Sequence, residues 1–329
     1  MSRVVRFHRL GGPEVLQIET RPVPEPGPDE VLIEVQAIGL NRADVMFRKG
    51  QYLEKATLPS PLGFEAAGTV VSRGRNARQF EVGDRVGTLP GFDLSRYGVY
   101  ADHVAIPEAY VLRQPEGLSG VSAAALWMAY LTAYGGLLEA GRLRPDEWVL
   151  ISAASSSVGL AAIQIAKQAG ARPIATTLTS AKRDALLAAG AVDVIATQEE
   201  SLGERLRDLT GGQLHCALDA VGGPQVVELA EAMAKGGRIV IHGALSPEAT
   251  PFPLKLALRK SLSFRGYVYT EVTTDSHALA RAQKFITKGV ASGTLLPHID
   301  STFLLADIVE AHRHLESNQQ FGKIVITTR

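Results

Sequence analysis

Residues 149–170, VLISAASSSVGLAAIQIAKQAG, join an apolar strand to an alanine-rich helix through a turn of small residues. A helix N-terminus presents unpaired backbone N–H groups and a partial positive charge, a setting suited to a pyrophosphate. The turn must stay small so that phosphate oxygens can reach the backbone. The dinucleotide fingerprint G-x-G-x-x-G meets that need with glycine. Here its three glycine positions read Ala154, Ser156 and Gly159, so a strict pattern search passes over it. Ser155, Ser156 and Ser157 add hydroxyl donors, Val158 follows them, and Gly159 can serve close helix–strand packing. The bland alternative is a Ser/Ala-rich helix start that binds nothing. The strand–helix units that follow favour the nucleotide.

The segment after the next strand, RPIATTLTSAKRD, bears on which dinucleotide. An NAD site usually places Asp or Glu roughly 20 residues past the turn, on the ribose 2′-hydroxyl. This chain has Thr176, Thr177, Leu178, Thr179 and Ser180, then Lys182 and Arg183, and no carboxylate before Asp184. Hydroxyls followed by two cations suit a 2′-phosphate. NADPH is therefore expected over NADH, the competing reading being a solvated helix face.

Two rhythms position these residues. Up to about residue 113 the chain runs in short β-rich segments broken by Gly and Pro, such as EVLIEVQAIGL, EAAGTVVSRG and DRVGTL, which predicts a mainly antiparallel domain. From about residue 123 to 264, apolar strands alternate with helical segments, which predicts a parallel sheet covered on both faces. The expected class is α/β, with domains at 1–123, 124–264 and a tail at 265–329 that returns to the first domain. The 329 residues, 46% of them hydrophobic, suffice for two cores. Thirty-four cations balance 34 anions, which argues against a nucleic-acid or anionic-lipid partner. The single cysteine, Cys216, rules out an intramolecular disulfide and every multi-cysteine metal site, and is expected to be an inert buried thiol. The opening residues MSRVVRFHRLGGPEVL lack an apolar core followed by a small-residue cleavage site, so no secretory signal is expected, and the uncharged stretches 117–138 and 148–166 are rich in Ala, Ser, Gly and Thr. They read as buried segments of a cytoplasmic protein rather than membrane spans.

The segments GGPEVLQIE, IGLNRADVMFRKGQY, PLGFEAAGTV, VGDRV, GVYADHVAIP, AALWMAYLTAYGGL, the serine turn and FGKIVI occur in the order and spacing of the medium-chain dehydrogenase/reductases. Within that superfamily the chain resembles the zinc-independent quinone oxidoreductases, the family that includes zeta-crystallin. The resemblance implies a GroES-like domain, a Rossmann domain and a homodimer joined through Rossmann-sheet edges. The catalytic zinc of the superfamily's other branch needs three protein ligands. Those positions here hold Asn41, Phe64 and Met128, a set that does not suit zinc. No metal is expected.

The same resemblance places Asn41 at the nicotinamide–substrate cleft; its alternative is satisfying loop backbone. Tyr52, in RKGQY, matches the proposed proton donor of related enoyl-thioester reductases, and a phenol can protonate a developing enolate; its alternative is packing on the cleft wall. Met46 stands where some quinone reductases carry another tyrosine. By resemblance Thr132 lies near the nicotinamide, Phe264, Arg265 and Gly266 run past its carboxamide, and Asn318 contacts cofactor phosphate or ribose. Val221 and Gly222, with Gly243, Ala244 and Leu245, are small strand-end residues where open α/β sheets bind ligands. Thr197 replaces a tyrosine that packs beside the adenosine phosphate in some relatives. Asp44 and Arg48 read as an i,i+4 helical ion pair. His103 and His242 read as structural.

The expected function is NADPH-dependent transfer of hydride, without zinc, to a quinone or α,β-unsaturated carbonyl. One rival is an enoyl-thioester reductase, with Arg42, Arg48 and Lys49 available to a coenzyme A arm. Another is a protein that binds NADPH or serves structurally without catalysis.

Overall fold

The structure is a computed structural model and describes all 329 residues. It forms two units, Met1–Met128 with Pro297–Arg329, and Ala129–Leu296.

The first unit carries β1 (Ser2–Phe7), β2 (Leu16–Arg21), β3 (Glu30–Gly39), β4 (Ser60–Pro61), β5 (Glu65–Arg73), β6 (Arg85–Thr88), β7 (His103–Pro107) and β8 (Val111–Arg113). β3 is its spine. Val31, Ile33, Val35, Ala37 and Ile38 are all buried on it, and it pairs antiparallel with both β5 and β7. A smaller antiparallel sheet runs in the order β2-β1-β4. Phe7 of β1 meets Phe47 edge to face, which seats helix Arg42–Arg48 on the core.

The second unit carries β9 (Trp148–Ile151), β10 (Arg172–Thr177), β11 (Asp193–Ala196), β12 (Leu214–Asp219), β13 (Met233–Ile241) and β14 (Ser263–Gly266). All neighbours are parallel and the order is β11-β10-β9-β12-β13-β14. Relabelled from one, this is 3-2-1-4-5-6, the doubly wound order that reverses direction between its first and fourth strands. Leu150, Ile174, Ile195, Leu214 and Ile239 from the strands are fully buried against Leu206 and Leu229 from the helices. Such runs are apolar throughout because both faces are covered.

The chain returns to the first unit as β15 (Ile299–Leu304) and β16 (Lys323–Thr327), and β16 pairs antiparallel with β3. The expected boundaries shift. The chain leaves the first unit after Met128, not 123, and comes back at Pro297, not 265. Residues 265–296 stay with the second unit because helix Ser276–Ala291 is anchored there: Ile286 is fully buried, Phe285 stacks on Tyr134, and Arg281 pairs with Glu139.

Of the two uncharged stretches, 148–166 is not one helix but β9, a turn and helix Ser157–Gln168. Gly120–Ala140 is long and apolar enough to cross a membrane, yet most of it is buried inside the protein.

Candidate functional site

The serine turn sits at the carboxyl end of β9, beside the point where the strand order reverses. Open α/β sheets bind ligands in that crevice. Ala153 turns the chain at φ +46°, and Ala154 N donates to Thr176 O of β10 at 2.9 Å. Ser156 is the N-cap of helix Ser157–Gln168, its Oγ accepting from Gly159 N at 3.0 Å. The N–H groups of Ser157 and Val158 at the helix start are left for an outside acceptor. Gly159 allows the closure of this turn: a Cβ there would lie 2.6 Å from the Ala154 backbone. These residues fit a pyrophosphate, with helix-start N–H groups available and only small side chains in the turn itself.

Lys182 and Arg183 part company. Lys182 Nζ reaches back to Ser155 Oγ at 3.3 Å, so it stands over the turn. Arg183 turns away. Its guanidinium donates to Val194 O and forms ion pairs with Glu200 and Asp193. Of the two cations expected at the 2′-phosphate, Lys182 faces the turn, whereas Arg183 is spent fastening the loop after β11. Thr177 ends β10, and its carbonyl accepts from both Thr197 N and Thr197 Oγ1.

Two residues that sequence reasoning passed over tie the switch point together. Ser152 Oγ donates to Asp219 Oδ1 at 2.7 Å and accepts from Ala220 N, joining the ends of β9 and β12. Asp219, fully buried, also accepts from Val221 N, Gly222 N and Gln225 Nε2. An aspartate closing the apolar run CALD was the available signal. Leu245 N donates to Ala220 O and Ser246 N to Val221 O, which draws the turn after β13 onto the turn after β12. Gly243 permits it, since a Cβ would meet Ala220 O at 2.6 Å. Thus Val221, Gly222, Gly243, Ala244 and Leu245 gather at one sheet end. Phe264 packs edge to face on Phe252, Arg265 pairs with Glu271, and Gly266 ends β14. Thr132 is buried in helix Trp127–Tyr134.

In the first unit, the end of β3 and the starts of β5 and β16 come level, with Gly39 facing both Glu65 and Val325. Asn41 N-caps helix Arg42–Arg48 there. Its Nδ2 donates to Gly39 O at 3.0 Å and its Oδ1 accepts from Lys323 Nζ at 2.6 Å. The loop-satisfying role is therefore real for this side chain. Lys323 also pairs with Glu65 at 2.6 Å, and Glu65 Oε1 accepts from Met128 N. Both charged groups of that pair are buried. Tyr52 lays its ring edge to face on buried Phe64, 5.6 Å between centroids.

The expected Asp44–Arg48 ion pair does not form. Asp44 instead accepts from Asn41 N at 2.8 Å and from Tyr100 OH at 3.0 Å, and burial pushes its carboxyl up to about 7. Arg48, fully buried, pairs with Glu316, which Lys49 shares. Arg42 donates to Leu315 O and Asn318 Oδ1. The three cations offered to a coenzyme A arm are thus all engaged by the end of helix Ile308–Glu316 and the residues after it. Desolvation lowers His242 to about 4 and pushes buried Cys216 up to about 12, which leaves both uncharged at neutral pH.

No group of three or more His, Cys, Asp or Glu side chains is arranged to hold a metal ion. The positions matching the zinc ligands of the wider superfamily bring an amide committed to an ammonium, a phenyl ring and a thioether.

Comparison with known proteins agrees with this geometry. The alcohol dehydrogenase GroES-like domain family matches residues 27–116, and the zinc-binding dehydrogenase family matches residues 157–287. Quinone oxidoreductase 1 of Escherichia coli is 33% identical over 338 residues, covering 99% of each chain. The quinone oxidoreductase of Lama guanicoe is 30% identical, covering 99% of this chain and 97% of its own. The crystal structure of the Escherichia coli quinone oxidoreductase complexed with NADPH superimposes with a TM-score of 0.92, over 99% of this chain and all of the other. A structure described as an NAD-dependent alcohol dehydrogenase, 33% identical, gives 0.90 over the same shares. The joint match of antiparallel unit, doubly wound unit and full-length relatives makes this chain an oxidoreductase of the quinone oxidoreductase family, within the medium-chain dehydrogenase/reductases.

Proposed function

We propose that the protein is an NADPH-dependent reductase that acts without zinc on a quinone or an α,β-unsaturated carbonyl. The observation that carries the reading is Lys182 standing over Ser155 beside the Ser156-capped helix, at the strand-order switch of the parallel sheet. The helix start, through Ser157 and Val158 N–H, would hold the pyrophosphate, and Lys182 with Ser155 and Thr177 the 2′-phosphate. Val221, Gly222, Gly243, Ala244 and Leu245 would line the path of the nicotinamide half, with Thr132 and the Phe264, Arg265 and Gly266 segment beside it. When bound, the dinucleotide supplies the hydride. The protein's part is orientation, exclusion of water and placement of one proton.

Tyr52 is the candidate proton donor, its ring held by Phe64. Asn41 is the candidate hydrogen-bond partner of the substrate or nicotinamide carbonyl. The ammonium of Lys323, 2.6 Å from Asn41 Oδ1, disfavours a dication at the position where zinc relatives ligate, and quinones and enones need no Lewis acid. Asn318, expected at the cofactor phosphate or ribose, already accepts from Arg42 through its Oδ1.

We propose a homodimer. β14 is an edge strand, and Phe252, Leu254 and Leu258 are exposed near it, with Phe252 stacked on Phe264 of that strand. We place the protein in the cytoplasm, with a small-molecule substrate. A steady-state panel of quinones, enones and a crotonyl thioester, run with NADPH and with NADH, tests the reading. Turnover of quinones or enones with NADPH supports it, and preference for the thioester replaces it by the enoyl-thioester reading. Tight NADPH binding with no turnover leaves a binding protein.

A further inference from the structure

We infer that Lys323 is a positioning residue: its buried ammonium holds the Asn41 carboxamide with the oxygen turned inward, so that Asn41 can act on a ligand only as a hydrogen-bond donor. The inference rests on the functional reading above.

Lys323 opens β16 and is 1% exposed. Its Nζ donates to Asn41 Oδ1 and to Glu65 Oε2, both at 2.6 Å. Glu65 is held in turn by Met128 N on its other oxygen. Asn41 Nδ2 donates to Gly39 O at 3.0 Å. Amide orientation is often ambiguous, but not here. The flipped carboxamide would set Nδ2 against an ammonium and Oδ1 against a carbonyl oxygen, two repulsive contacts in a buried site. Gly39 makes the room, since a Cβ there would lie 2.7 Å from Lys323 Cε and 1.9 Å from Ala124 O.

The carboxamide has two N–H bonds and one oxygen. With the oxygen on Lys323 and one hydrogen on Gly39, the second Nδ2 hydrogen is what it has to offer. Such a group matches a carbonyl oxygen that gains negative charge as hydride arrives, and it selects against a ligand that presents a hydroxyl or N–H there. The ammonium further polarises the amide, which strengthens the donor.

The test uses the full-length protein. Lys323→Met alone strands Glu65 as a buried anion, so the main variant is Lys323→Met with Glu65→Gln. It is expected to bind NADPH with unchanged Kd by fluorescence titration, and to lose about ten-fold or more in kcat, with acceptor KM changed less. Lys323→Arg, which keeps a donor opposite Oδ1, should recover part of that loss. Asn41→Asp keeps a partner for Lys323 but removes the amide donor and its bond to Gly39 O, and should also lower kcat; if the double variant does not fold, Lys323→Arg decides the matter, a kcat between wild type and Asn41→Asp being expected. Wild-type kcat in a folded double variant, wild-type kcat in Asn41→Asp, or a loss that merely tracks the folded fraction overturns the inference. If the unaltered protein fails to turn over any acceptor, the functional reading falls first. If it turns over and the variants match it, only the role of Lys323 falls.

Discussion

Lys182→Ala is the most direct probe of the nucleotide preference. Lys182 lies 3.3 Å from Ser155 Oγ, over the turn, and is half-buried. A 2′-phosphate hydrogen-bonded to both would stand about 4 Å or less from the ammonium. A unit charge pair at that distance is worth about 1 kcal/mol in water and about 4 kcal/mol at an effective dielectric of 20. A half-buried cation falls between, so a loss of about 2 kcal/mol, or about 30-fold in Kd, is expected for NADPH. NADH has no phosphate there, and its Kd should change by less than about two-fold. Isothermal titration with both nucleotides measures the difference. Raising salt should shrink the NADPH advantage of the unaltered protein more than that of the variant. Arg183→Ala is the control beside it. It cuts the bonds to Val194 O, Glu200 and Asp193, so it should cost about 1 kcal/mol of stability without changing the nucleotide ratio. Equal losses of NADH and NADPH in Lys182→Ala, or selective NADPH loss in Arg183→Ala, would refute the assignment.

Tyr52→Phe should lower kcat on enones by about 10–100-fold while leaving NADPH affinity alone; an unchanged rate removes Tyr52 as proton donor. Asp44→Asn should change how stability responds to pH. Burial raises the Asp44 carboxyl to about 7 in the folded protein, so its contribution is complete below about 4 and is lost as pH rises through 7. Between pH 5 and pH 8 the variant should therefore gain about 2–3 kcal/mol on the unaltered protein, read from paired thermal or urea unfolding; parallel curves would show that Asp44 titrates normally. Zinc analysis should find no stoichiometric metal, and incubation with a chelator should leave turnover intact; activity that returns only with added zinc would sink the zinc-free mechanism.

Part of the candidate site was legible because its signal is local. A strand, a turn of small residues and a helix with a capping serine occupy contiguous positions, so the departure from glycine at Ala154 and Ser156 did not hide residues 149–170. The alternation of strand and helix likewise announced a parallel sheet, since each unit must cover it. The boundary at 265 was misplaced because helix Ser276–Ala291 is amphipathic and could have faced either unit; which core receives Ile286 is a matter of packing.

The chain's own order of residues was enough to announce two architectures and a strand–turn–helix of the dinucleotide type, for these depend on residue type at short spacing; the zinc-ligand positions came from the family resemblance instead. Residue order could not establish partners across long separations. Asn41, Glu65 and Lys323 meet because β3, β5 and β16 pair in one register. Asp44 turned from Arg48 to Tyr100, and Arg183 from the phosphate turn to Glu200, because a buried polar group takes whichever partner the fold brings within reach. Only the folded chain decides which one that is.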